Sequence, residues 1–113
     1  MIKILNQNEK PNWVEYPLEY LNLINTEKEE FLPWYLLDKE QLLIRYNGLK
    51  KRYPTRNLFP FARHDDNDDV ACWEKNKPGK VILIHDFAAS GYEDKMEFEN
   101  FNEWYIFVIN DNC

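Results

Sequence analysis

The segment Val81-Ile82-Leu83-Ile84 constrains this chain more than any other. Its four apolar, mostly β-branched residues run without a break and are closed by the polar pair His85-Asp86. Such a run reads as a strand covered on both faces, not an alternating half-buried one. Asn57 to Arg63 and Val70 to Glu74 share that texture, so Lys80 to Phe87 is expected to be the last of three strands. Asn76-Lys77-Pro78-Gly79 reads as the tight loop before it, and Ala88 to Asp94 as a loop after it. At 113 residues the chain suits a single domain spanning 1–113. About two-thirds of its extended surface can be buried on folding, enough for one core without disulfides or metal.

Helical spacing flanks these strands. Pro17 and Glu19 suit a helix start, with Leu18, Leu21 and Ile24 facing inward. Thr26 and Glu29 fit a capping box, but Pro33 interrupts any helix there, and Trp34 to Leu37 reads as extended. Asp38 and Gln41 form a second capping box before Leu42, Tyr46, Leu49 and Tyr53, which repeat along one helix face. Asn47-Gly48 is a competing hairpin signal, and the favoured reading is a helix that ends or bends near Gly48. Phe98, Phe101, Trp104 or Tyr105, and Val108 predict a closing helix with Glu97, Glu99 and Glu103 toward solvent. The expected class is α+β, with N-terminal helices, a mainly antiparallel sheet and a C-terminal helix.

Charge is distributed unevenly. The net charge is −6, yet Arg45, Lys50, Lys51, Arg52, Arg56 and Arg63 form a stretch without a single acid. Four carboxylates follow at once, at Asp65, Asp66, Asp68 and Asp69. The reading preferred here is internal neutralisation across the fold. A nucleic-acid strip needs an uninterrupted positive surface, which the overall acidity opposes. The same acidity favours a basic partner. No apolar run approaches a membrane span, and the opening Met1 to Asn8 turns polar too soon for a secretory signal. With only Cys72 and Cys113 there is no disulfide framework, and a cytoplasmic protein with free thiols is expected.

Few motifs carry chemistry. In His64-Asp65-Asp66-Asn67-Asp68-Asp69, the spacing Asp65, Asn67, Asp69 matches the start of a calcium loop. The match then fails at Val70 and Asn76, where glycine and glutamate are required. A solvated turn between strands explains the string better. His64, Asp65, His85 and Asp86 permit an alternative reading as a small metal-dependent hydrolase. His85 is more simply a strand-end histidine held by a carbonyl or by Asp86. Cys72, inside a strand, reads as an inert buried thiol. With Ser90 the only serine, most serine-nucleophile schemes fall away. No cofactor motif is present. The eighteen aromatics must mostly be core, and any left exposed beside acids would suit a protein interface.

Three strings together resemble the SUKH (Smi/Knr-like) superfamily of bacterial immunity proteins. They are Leu58-Phe59-Pro60-Phe61-Ala62-Arg63, Asp65 through Trp73, and Val81-Ile82-Leu83-Ile84-His85-Asp86-Phe87. Pro33-Trp34, the stretch Gly48 to Pro54 and the aromatic C-terminal helix resemble the same group. His64 stands where a second arginine is usual there, and the loop Ala88 to Tyr92 differs slightly. The resemblance implies a twisted, largely antiparallel sheet with flanking helices and a non-enzymatic protein. Many members neutralise cognate toxins of polymorphic toxin systems, often nucleases, and some eukaryotic members regulate through protein contacts. The expectation is therefore a cytoplasmic immunity protein that binds a toxin domain stoichiometrically, without nucleic acid, membrane or cofactor. A regulatory scaffold without a toxin is the other alternative. From charge and loop position, Asp65, Asp66, Asp68, Glu93 and Asp94 are expected to steer or contact the partner, and Trp73 and Tyr92 to anchor it.

Overall fold

The computed structural model describes residues 3–26, 30–31 and 33–110. The elements run α1 (Leu18–Asn25), β1 (Glu30–Phe31), β2 (Trp34–Leu36), α2 (Lys39–Arg52), β3 (Leu58–His64), β4 (Asp69–Glu74), β5 (Lys77–His85), β6 (Asp94–Phe98) and α3 (Phe101–Asn110). All strand pairs are antiparallel, and spatial order follows chain order from β1 to β6. The class is α+β, as the sequence predicts.

The central strands are covered on both sides. Along β4 and β5, Ala71, Trp73, Val81 and Leu83 enter the larger core with Tyr20 and Ile24 of α1 and Phe101, Trp104 and Val108 of α3. The alternate residues Val70, Cys72, Ile82 and Ile84 join Leu49 and Tyr53 in a second cluster beneath α2. The period-two alternation of side chains thus feeds two separate cores from one apolar run. Within the larger core Phe61 stacks on Trp73 at 4.3 Å and meets Trp104 edge-on at 5.0 Å.

Two irregularities shape the sheet. Pro60 interrupts β3, and the register shifts between Pro60 and Ala62, leaving Phe61 as an extra residue. Phe61 and Ala62 then both face the aromatic core, as a bulge allows. The second shift lies between Cys72 and Glu74, opposite the β5 segment where Gly79 takes φ +79°. This corrects the expected loop. The hairpin turns at Lys75-Asn76, and Pro78 and Gly79 lie within β5.

Four other expectations change. Leu18 is exposed, and Tyr20 and Ile24 hold the buried face of α1. Thr26 caps the C-terminus of α1, while Glu29 lies outside the described residues. The closing helix starts at Phe101, where the Asn100 side chain accepts the Glu103 N–H at 2.8 Å. Phe98 instead ends β6, an edge strand whose charged residues mask its pattern. Finally, α2 does not stop at Gly48. Asp38 caps it by accepting the Gln41 N–H at 3.0 Å, and the helix continues to Arg52.

Candidate functional site

Because the helix passes through Gly48, two arginines one heptad apart, Arg45 and Arg52, reach the same carboxylate. Asp86, just after β5, is fully buried. Arg52 donates to it through Nε at 2.6 Å and Nη2 at 2.7 Å, and Arg45 through Nη1 at 2.7 Å. The Phe87 N–H adds a fourth bond at 2.8 Å. Burial alone would raise the Asp86 carboxyl, but the bonds from Arg52 and Arg45 outweigh it and hold the group below its ordinary value. A β-carbon at position 48 would lie 2.5 Å from Arg52 Nη2, so the glycine leaves space for the guanidinium. The expected consequence is coupling. Gly48→Ala should stabilise an Arg52→Ala background by about 1 kcal/mol, the helix-propensity gain, and give little or none of it in the native chain. A double-mutant cycle by urea denaturation checks this, and equal gains in both backgrounds would contradict it.

A second cationic hub lies on the same face of the sheet. Arg56 holds Glu74 through a paired contact at 2.7 and 2.9 Å, and also reaches Glu93 at 2.9 Å and Asp94 at 2.7 Å. Glu93 also accepts the Gly91 N–H at 2.6 Å. Burial would raise its carboxyl, and Arg56 with these backbone bonds brings it below the ordinary value. Asp69, the last acid of the Asp-rich string, is buried between Lys95 and His85 Nδ1, the latter at 2.9 Å. His85 is therefore held by Asp69, not by Asp86 or a carbonyl. Arg45, Arg52 and Arg56 are spent on buried carboxylates, so half of the basic stretch is neutralised from within, while Lys50 and Lys51 stay exposed and Arg63 donates to the Asn67 carbonyl.

The turn between β3 and β4 carries the opposite sign at the surface. Residues 65–68 turn between β3 and β4, with the Asn67 side chain accepting the Asp69 N–H at 2.8 Å and His64 Nδ1 accepting the Asp66 N–H at 3.1 Å. Asp65 and Asp66 are exposed and Asp68 half-buried, and none of the three has an ion pair among the described residues. The loop after β5 lies against this turn, because the Asp86 N–H donates to the Asp68 carbonyl at 3.0 Å. That loop carries Phe87, 60% exposed, and Tyr92, 81% exposed.

The expected contact residues are therefore divided. Asp65, Asp66, Asp68, Tyr92 and Asp94 share one end of the sheet and reach solvent, Asp94 while holding Arg56. Trp73 does not: it is 5% exposed and stacked in the aromatic core, because β4 turns its odd-numbered residues toward α1 and α3. Glu93 is likewise buried, fixed by Arg56. The residues of the hydrolase reading do not converge either. Asp86 is occupied by guanidinium groups and His85 by Asp69, and no three His, Cys, Asp or Glu among the described residues are placed to hold a metal ion. Burial pushes the Cys72 thiol well above its usual value, as the inert reading expects. Cys113 lies outside the described residues.

Sequence reasoning missed Phe87, taken as a strand end, and the clasp on Asp86. The heptad spacing of Arg45 and Arg52 with a glycine between them was the available signal. No family model, curated protein or solved structure matches this chain. No described helix is long and apolar enough to cross a membrane.

Proposed function

We propose that this chain is a protein-binding module, an immunity protein of the SUKH kind that occupies the basic face of a cognate toxin domain. A nuclease toxin suits it best, since an enzyme acting on a phosphate backbone must be cationic where it meets its substrate. One observation carries the reading. The chain directs Arg45, Arg52 and Arg56 inward onto buried carboxylates and presents Asp65, Asp66 and Asp68 outward, on a turn next to the loop that displays Phe87 and Tyr92. That is the surface needed to steer and seat a basic protein. The protein would act in the cytoplasm of the producing cell, stoichiometrically and without catalysis.

The test uses the toxin domain encoded beside this chain's gene. The triple variant Asp65→Lys, Asp66→Lys, Asp68→Lys should associate with it at least about tenfold more slowly at low salt. The steep salt dependence of the native rate should also flatten. Association unchanged at low ionic strength, or a neighbouring gene that encodes no toxin, would reject the proposal.

A further inference from the structure

The loop that follows β5 holds a backbone conformation that its sequence does not favour. Phe87 has φ +69°, a left-handed geometry that a bulky residue adopts only when its surroundings impose it. The surroundings are all present. Asp86 accepts the Phe87 N–H, and Tyr53 donates its hydroxyl to the Ala88 carbonyl at 2.8 Å. The guanidinium of Arg52 lies 4.0 Å from the Phe87 ring centroid and that of Arg45 lies 5.7 Å from it. Yet the ring is not used in either core. It stands 60% exposed on the loop that also displays Tyr92.

We infer that Phe87 is the anchor of the interface, inserting into an apolar pocket within the cationic surface of the partner. This rests on the binding reading proposed above and adds to it the residue that holds the partner once it has arrived. The occupant follows from charge. The two arginines beside the ring share the single carboxylate of Asp86, so one positive charge remains there, and the three carboxylates of the adjoining turn outnumber it. The adjoining turn displays Asp65, Asp66 and Asp68 without ion pairs among the described residues. An exposed aromatic next to a turn with three carboxylates complements a basic protein surface and repels an acidic one. The loop is fixed before binding, so little ordering cost is left for the moment of contact.

Anchor and steering residues separate kinetically. Phe87→Gly accepts the left-handed backbone and removes only the ring. Against the toxin domain encoded beside the gene, this variant should leave the association rate within about twofold of native and speed dissociation at least about thirtyfold. Its urea midpoint should equal or exceed the native one. Native dissociation kinetics in Phe87→Gly, alongside slowed association in the Asp65, Asp66, Asp68 triple variant, would overturn the anchor and leave the binding reading standing. A marked loss of stability in Phe87→Gly would assign the ring to the fold and also overturn it. Native kinetics in both variants would remove the whole surface from the interface.

Discussion

Asp86→Ala should lower the stability of the fold by about 3 kcal/mol, read as a shift in urea midpoint with an unchanged slope. Removing one member of a buried ionic cluster usually costs about 3–5 kcal/mol, because the remaining charges lose their partner in a poorly solvated site. The lower end applies here. Arg45 and Arg52 keep 14% and 28% of their side chains exposed and can turn toward water once released. The loss also frees Phe87 from the bond that holds its left-handed backbone. The pH dependence follows from the same contacts. The folded carboxyl is held below the value of 3.8 that serves as its unfolded reference. Its contribution is therefore complete above that value and disappears as pH falls through the lower folded one. Asp69 and Glu93 are depressed in the same direction and add to the effect. Acid titration of stability should show a steep loss below about pH 4 in the native chain and a shallower one in Asp86→Asn. Identical acid limbs would show that the clasp contributes nothing.

Phe61→Ala should be at least as damaging, at about 3–5 kcal/mol. Phe61 is fully buried and meets Trp73, Trp104, Tyr20 and Phe101 with ring centroids between 4.3 and 5.9 Å. It is also the extra residue of the β3 bulge, after which Ala62 faces the same core. Four rings around one vacancy cannot collapse to fill it, which keeps the cost at the level of a cavity, not of lost transfer energy alone. Thermal or urea unfolding measures it, and a loss under about 1.5 kcal/mol would mean that the rings repack.

The elements that could be read from sequence are those set by local chemistry. The continuous run at Val81 to Ile84 announces a doubly covered strand, and Asp38 with Gln41 announces the start of α2. The elements that could not be read depend on distant partners. Gly48 looks like a helix terminator until Arg52 is seen crossing it toward Asp86, thirty-four residues on. Phe98 fits the helical spacing of Phe101 and Val108, yet it faces the core equally well from a strand, and only pairing with Val81 decides between the two. The candidate site divides in the same way. Solvation places the aspartates of the 65–68 turn correctly from local sequence. Trp73 and Glu93 are misassigned because residue type does not reveal which side of a strand, or which arginine, a side chain meets. Phe87 escapes notice because its exposure comes from an unusual backbone angle that no side-chain pattern encodes.

The strictly sequential order of the sheet has a kinetic consequence. From β3 to β6 every strand finds its neighbour in the next segment of chain, so that part of the sheet can assemble hairpin by hairpin, while β2 joins β3 only across the connection that carries α2. The bonds between α2 and the segment after β5 join residues thirty or more positions apart and can form only once that meander exists. The displayed loop is thus the last part to set during refolding, although the bonds to Asp86 and Ala88 hold it once it has formed.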